Sequence, residues 1–208
     1  MSWKNSAKIK PETYCLTNTY DRNISVVRTS FDLMSVDYQQ RLGKLRYDIF
    51  VEREGWVLPL ADHADRVELD EFDCTHTYYS IAIDTANRLS GCVRATPLHI
   101  GSVLTNHFPW LAKISDLQRD DIYEISRFGM RRNLGNAGRL LLRSVFETVY
   151  NLGASSAVAV TTPQIERYCN LIGINSSRLG PTCEYQGLLV VALIFDINQF
   201  SNIASIEK

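Results

Sequence analysis

An alternating segment from Ile122 to Met130 runs without a break into Arg131-Arg132-Asn133-Leu134-Gly135-Asn136-Ala137, and this junction constrains the fold more than any other feature. Period-two alternation marks a strand, in which Glu124, Ser126 and Phe128 share one face and Tyr123, Ile125 and Arg127 the other. A helix is expected from about Ala137 to Leu152. A strand that enters a helix through a glycine-containing turn belongs to a sheet with helices packed on it. It also brings free backbone N–H groups and a positive dipole end to one spot, where glycine lets a ligand approach the backbone closely. Glu124 and Arg127, three apart at the mouth of that turn, form a candidate site for a polar substrate beside a phosphate. A surface ion pair on an edge strand is the plainer alternative.

The rest of the chain fills in around this junction. Ile24 to Thr29 is β-branched and reads as a strand. Ser35-Val36-Asp37 opens a helix in which Leu42, Leu45, Ile49 and Phe50 recur at helical spacing, and Gly55 ends it. Trp56 to Arg66 is a loop containing Pro59. Thr77 to Asp84 and Leu89 to Thr96 read as hairpin strands joined by Thr85-Ala86-Asn87-Arg88. Gly101 to Asp121 is a long connection with room for a short helix. Ser156 to Thr161 reads as a strand, Pro163 to Ile172 as a helix with proline in its first turn, and Leu188 to Phe195 as a buried strand. The order β-α-β-β-β-α-β-α-β predicts one mixed sheet with helices on its faces, a single-domain three-layer α/β/α protein of the α/β (α+β) class. Residues 1–22 are expected to be an irregular N-terminal extension and 23–208 the domain that carries the candidate site.

Composition narrows the function. Lys+Arg 22 against Asp+Glu 23 gives a net charge of -1, so no global field recruits nucleic acid or an anionic membrane. No apolar run approaches the roughly 20 residues of a membrane span, and Met1 to Lys10 lacks the apolar core of a secretion signal. Cys15, Cys74, Cys92, Cys169 and Cys183 are an odd, scattered set without a C-x-x-C pair. That argues against a disulfide framework and a zinc site, and the expectation is a soluble cytoplasmic protein without a metal.

Ionic and aromatic residues gather upstream of the central strand. Arg46 and Phe50, four apart, share a helix face. Trp56 follows in the loop, and Asp70-Glu71-Phe72-Asp73 sets two carboxylates three apart. Arg94 lies in a strand that is otherwise apolar or small, where a guanidinium requires a carboxylate or an anionic ligand. Phe50 and Trp56 as core residues, with Arg46 and Arg94 bridged to Asp70 and Asp73, is the structural alternative. It is compatible with a pocket.

Arg132-x-x-Gly135-x-Ala137, placed between a strand and a helix, resembles the pyrophosphate loop of GNAT-type acyltransferases. The wider set is more specific. Arg46-x-x-x-Phe50, Trp56, Asp70-x-x-Asp73, Arg94 and Glu124-x-x-Arg127 resemble the signature of the acyl-homoserine-lactone synthases, the LuxI-type autoinducer synthases. Order and most spacings agree from the first helix through the central strand. The loop between Trp56 and Asp70 is a few residues longer than usual, and the N-terminus carries an extension.

The resemblance implies a GNAT-like fold and a reaction between S-adenosylmethionine, a co-substrate rather than a bound cofactor, and an acyl thioester on acyl carrier protein. Glu124 is the expected base, with Arg127 beside it. Arg46, Phe50, Trp56, Asp70, Asp73, Arg127 and Phe128 are expected around adenosylmethionine, with backbone N–H groups near Phe128 steadying the oxyanion. Arg94 is expected in an ionic lattice. Arg131, Arg132, Gly135 and Arg139 are expected at the phosphopantetheine arm or carrier protein. Thr161 and Thr162 fall where the family lines its acyl tunnel; they either recognise a 3-oxo group or are ordinary strand-end residues. A GNAT-type N-acyltransferase using coenzyme A and another amine is the rival enzyme. A non-catalytic sensor of an acylated ligand is the rival of another class.

Overall fold

The computed structural model describes residues 12–16, 24–132, 134 and 136–200. The strands are β1 (Glu12–Leu16), β2 (Ile24–Ser30), β3 (Tyr78–Ile83), β4 (Leu89–Pro97), β5 (Ile122–Met130), β6 (Ser156–Thr161), β7 (Ser177–Arg178), β8 (Cys183–Tyr185) and β9 (Leu188–Asp196). The α-helices are α1 (Val36–Arg46), α2 (Val103–His107), α3 (Ala137–Asn151) and α4 (Pro163–Leu171). The strands form a mixed sheet in the order β1-β2-β3-β4-β5-β6-β9-β7, with β8 also on β9. β1 through β5 pair antiparallel, β5 and β6 run parallel, and β9 returns antiparallel to β6.

Helices cover both faces, as the element order predicts. On one face, α3 and α4 seal an apolar core in which Leu141, Val145 and Phe146 meet Val93, Ala95, Ile125, Val191 and Phe195. On the other, α1 packs Leu42 and Leu45 on Tyr79, Ile81 and Cys92. Farther along that second face, Leu98, Leu104, Leu111 and Leu117 from the long connection cover Ile122, Val158, Val190 and Ala192. No helix among the described residues is long and apolar enough to cross a membrane.

Three local expectations change. The stretch read as irregular contains β1, whose backbone pairs with β2 from Glu12↔Arg28 to Leu16↔Ile24, so the sheet starts before residue 22. Leu188 and Leu189 begin β9 but stand 44% and 55% exposed; burial begins at Val190, because only there does the strand pass under the long connection. The first helix also does not stay α-helical. Ser35 caps α1 by accepting from Tyr38 N, and from Tyr47 to Arg53 the backbone widens into a π-helix. Such segments occur often at functional sites, where they re-aim side chains.

The sheet opens at one place. β5 and β6 pair from Ile122↔Ser156 to Glu124↔Val158 and then part. β5 continues to Met130 on β4, and β6 continues to Thr161 on β9. Arg127 sits at φ 51, in the left-handed region, beside a register shift between Cys92 and Arg94. A bulge of this kind bends a strand and increases its twist. It also changes the faces. Glu124, Ser126 and Arg127 all meet partners on the α1–α2 side, whereas Ile125 and Phe128 pack on the α3 side. Strict alternation had put Arg127 opposite Glu124 and Phe128 beside it; the extra residue in the bulge reverses both.

Candidate active site

Close backbone packing brings the charged residues together. The segment after Val67 crosses α1 at Gly43, where an added Cβ would meet Val67 Cγ1 at 2.6 Å, and Glu68 N donates to Gly43 O at 3.0 Å. That crossing holds Glu68 over Arg46. Gly129 serves the same purpose on β5: a Cβ there would strike Ile49 and Phe50 at 2.8 and 2.9 Å. The strand can therefore lie directly against the π-helix.

The result is a buried lattice of three guanidinium groups and three carboxylates. Arg46 donates from Nε and Nη2 to the two oxygens of Glu68 at 2.6 and 2.8 Å, and from Nη1 to both oxygens of Asp73 at 2.8 and 2.9 Å. Arg94 donates through Nη1 to Asp70 at 2.5 Å and Asp73 at 3.1 Å, and through Nε to Ser126 Oγ at 3.0 Å. Arg127 reaches Glu68 at 3.0 Å and Asp70 at 2.7 Å. Tyr79, fully buried, accepts from Arg46 Nη1 at 2.5 Å and donates to Asp73 Oδ1. Like-signed groups are interleaved, so each charge is compensated, which buried charges require.

The electrostatics follow from this geometry. Burial opposes ionisation of Glu68, but Arg46 and Arg127 outweigh it and hold the carboxyl at about 2. Burial likewise opposes ionisation of Asp70 and Asp73, and the arginines again win and lower both. The Tyr79 phenol is pushed well up, first by burial and then by Asp73, with Arg46 working the other way. The lattice is therefore ionised and the phenol neutral at physiological pH.

Aromatic rings wall the lattice. Phe50 and Trp56 stack with centroids 5.0 Å apart, the Arg127 guanidinium lies 5.9 Å from the Phe50 ring, and Arg94 lies 5.7 Å from the Phe72 ring. Trp56 is only half-buried, so part of the stack reaches the surface.

Glu124 sits at the last paired position before β5 and β6 part. Its side chain is buried, and Oε1 and Oε2 accept from Leu104 N at 2.7 Å and Val103 N at 2.9 Å at the start of α2. Burial raises its carboxyl above the ordinary value; the two N–H groups and Arg94 pull in the opposite direction. At the far end of α2, His107 lies 2.9 Å from Glu71 Oε1 and edge-on to Phe72. α2 thus ties Glu124 to the acidic segment.

Other expected site residues lie apart from the lattice. The Phe128 ring stacks on Tyr168 of α4, 6.2 Å between centroids. Arg131 pairs with Asp48 at 3.1 Å, and Arg132 and Arg139 are exposed at the start of α3. Gly135 lies outside the described residues. Thr161 ends β6 opposite Val191, and Thr162 precedes α4; both are half-buried. Among the described residues no group of three or more His, Cys, Asp and Glu side chains is placed to hold a metal ion. A cavity of about 370 Å³ lined by Leu98, Gly101, Thr105, Ile114 and Leu117, among others, touches none of the lattice residues.

Sequence reasoning missed Glu68 and Tyr79. Glu68 lies two residues before Asp70, a spacing that puts side chains on one side of an extended segment, and that signal was legible. Tyr79 reads as an ordinary strand aromatic; only its contact with Arg46 and Asp73 reveals it.

The sequence profile of the autoinducer synthases matches residues 30–203. The chain belongs to the autoinducer synthase family. An acyl-homoserine-lactone synthase of Pseudomonas aeruginosa is 29% identical over 179 residues, 85% of this chain and 88% of the relative. The structure of TofI in a ternary complex with an inhibitor and MTA superposes with a TM-score of 0.73 at 29% identity, covering 83% of this chain and 91% of that one. An N-acetyltransferase structure from Lactobacillus plantarum shares the fold, with a TM-score of 0.59 at 17% identity over 84% of this chain and 98% of that one. This autoinducer synthase is thus an acyltransferase enzyme with a GNAT-like sheet, as the order of its elements and its charged motif predict.

Proposed function

We propose that residues 23–208 synthesise an acyl-homoserine lactone from S-adenosylmethionine and an acyl thioester carried by acyl carrier protein. The observation that carries this reading is the closed, fully compensated lattice beneath the Phe50–Trp56 stack, at the place where the sheet opens. A simple acetyltransferase pocket needs no such set. The stack suits the adenine and sulfonium of adenosylmethionine, and the Arg127 guanidinium, the least buried of the three, suits its carboxylate, with fully buried Arg46 fixing the acidic groups beneath. Asp70 and Asp73 hold the guanidinium groups in place and face the substrate amine. The structure of TofI in a ternary complex with an inhibitor and MTA supports this reading.

In the reaction, the substrate amine loses a proton to Glu124, directly or through a water, and attacks the thioester carbonyl. The new C–N bond forms, backbone N–H groups on the freed edge of β5 between Ile125 and Phe128 steady the oxyanion, and the C–S bond breaks as the thiol leaves with a proton. A carboxylate oxygen of the acylated intermediate then attacks the carbon bonded to sulfur. The ring closes, and the electron pair of the broken C–S bond neutralises the sulfonium, releasing methylthioadenosine. Exposed Arg132 and Arg139, beside the start of α3, suit an acidic carrier protein. Thr161, at the end of β6 where the sheet is open, suits the acyl tunnel wall.

Incubation with adenosylmethionine and a panel of acyl carrier protein and coenzyme A thioesters, with mass spectrometry of the products, tests this reading. A lactone formed preferentially from a carrier-bound donor is expected. Acylation of a different amine from coenzyme A, with adenosylmethionine untouched, would replace it with the N-acyltransferase reading.

A further inference from the structure

Glu124 has to be buried and anionic at once to act as the base, and burial by itself favours the neutral carboxyl. The residue is 1% exposed, and burial does push its carboxyl up. The first turn of α2 works against that push: Val103 N and Leu104 N donate to the two carboxylate oxygens at 2.9 and 2.7 Å. α2 has only five residues, too few to hold its shape alone. The side chain that fixes its start is Ser102, itself fully buried.

Ser102 forms a capping box with Thr105. Its Oγ accepts from Thr105 N at 3.1 Å, and Thr105 Oγ1 accepts from Ser102 N at 3.0 Å. Ser102 O accepts from Asn106 N at 2.9 Å. The four N–H groups that a helix start leaves unpaired are thereby shared between Glu124 and Ser102. The Ser102 hydroxyl proton has two oxygens in reach. Thr105 Oγ1, 3.1 Å away, is neutral; the Glu124 carboxylate is charged and the stronger acceptor, and the bond from Ser102 lowers its carboxyl alongside the two backbone donors. The other charged groups nearby are committed elsewhere. Arg94 of β4 pulls the carboxyl the same way but is held by Asp70 and Asp73. Arg127 of β5 is held by Glu68 and Asp70, and His107 of α2 by Glu71. Across the strand pairs Glu124 stands opposite Thr96 on β4 and Val158 on β6, neither of them charged.

Resting on the lactone-synthase reading, in which Glu124 is the base, we infer that Ser102 is a positioning residue for that base: it sets the first turn of α2 so that two N–H groups meet the carboxylate, and it adds its own hydroxyl proton as a third donor. Donors to the carboxylate favour its charged form, so their loss makes Glu124 a group that stays protonated to higher pH. A cap that served the helix alone would leave this titration untouched.

The test titrates the Glu124 carboxyl in the full chain by carbon-13 NMR, with glutamate labelled at Cδ and the signal assigned by its loss in Glu124→Gln. The pH dependence of kcat/KM for lactone formation is followed over the same range. Ser102→Ala should raise the Glu124 midpoint by about one pH unit. Below that midpoint kcat/KM should fall about tenfold with it, and at high pH it should fall less. Ser102→Thr, which keeps the hydroxyl, should restore both. Ser35→Ala is the structural control, because Ser35 caps α1 by accepting from Tyr38 N at 3.2 Å. It should lower the melting temperature by roughly 2–4 °C, as Ser102→Ala also should, and leave the Glu124 midpoint where it is. If Ser102→Ala does not fold, Ser102→Gly is read for the same midpoint, since glycine caps nearly as well and lacks the hydroxyl. An unmoved midpoint, an equal rise in Ser35→Ala, or a fall in kcat/KM that is equal at every pH would overturn the inference and leave Ser102 a helix cap only. Near-normal lactone formation by Glu124→Gln would instead overturn the parent assignment of the base, which separates the two failures.

Discussion

Replacing Glu68 with Gln removes one negative charge from the centre of the lattice while keeping size and one acceptor oxygen. Glu68 accepts from Arg46 at 2.6 and 2.8 Å and from Arg127 at 3.0 Å. After the change, three guanidinium groups face two carboxylates, and an amide NH₂ points at a guanidinium. Two lines of reasoning set the size of the effect. The fall of the carboxyl from an ordinary 4.5 to about 2 corresponds to about 3 kcal/mol of differential stabilisation. Breaking one partner of a buried ion pair typically costs about 3–5 kcal/mol. For a chain of this size that range lowers the melting temperature by roughly 6–20 °C. The sign of the pH dependence is also fixed. Because the folded value lies below the unfolded one, Glu68 stabilises the protein fully above about 4.5 and loses that contribution as the pH falls towards about 2. Thermal and denaturant unfolding of wild type and Glu68→Gln between pH 7 and pH 3 reads both predictions. The two proteins should differ at neutral pH and converge in acid. A melting shift below 2 °C at pH 7, or a difference that grows in acid, would refute the claim that the lattice is ionised and tightly coupled.

Three further variants probe the remaining parts of the site. Glu124→Gln should lower turnover roughly 10²-fold or more as the proton acceptor is lost; because both carboxylate oxygens accept from Val103 N and Leu104 N, it should also loosen α2, seen as faster amide exchange at those positions. Near-normal turnover in the folded variant would remove Glu124 from the chemistry. Trp56→Ala should raise KM for adenosylmethionine more than KM for the acyl donor, since Trp56 stacks on Phe50 at the open wall; a lower melting temperature with both KM values unchanged would make the ring a core residue only. Arg132→Glu with Arg139→Glu should raise KM for carrier-bound donors, steeply with salt in wild type, and spare short acyl-pantetheine donors. Equal loss on both donors would place these arginines in folding or chemistry. Arg131 is a poorer probe because its pairing with Asp48 gives it a structural role.

Most of the sheet and its helices was legible because the longer elements carry a local signal. Ile122 to Met130 and Ser156 to Thr161 have the expected bounds, and α3 starts at Ala137 as its turn predicts. The charged set was legible because a guanidinium inside an apolar strand, as at Arg94, demands a partner. What escaped depends on contacts distant in sequence. The bulge at Arg127 arises from pairing with β4, and it reverses the faces that strict alternation assigns to Arg127 and Phe128. The widening of α1 into a π-helix accompanies the packing of Phe50 against Gly129, a contact distant in sequence. β7 and β8 are too short to carry a period of their own, and they exist because β9 offers an edge. Tyr79 looks apolar in sequence and becomes polar in role only where Arg46 and Asp73 meet it.

The central claim is that one catalytic cycle couples acyl transfer to ring closure, and product stoichiometry tests it most directly. With adenosylmethionine and an acyl carrier protein thioester, free thiol, methylthioadenosine and acyl-homoserine lactone should appear in equal amounts throughout the time course. Thiol release without methylthioadenosine would leave a plain N-acyltransferase, and binding of the acyl donor with no thiol released would leave a sensor; either result contradicts the account.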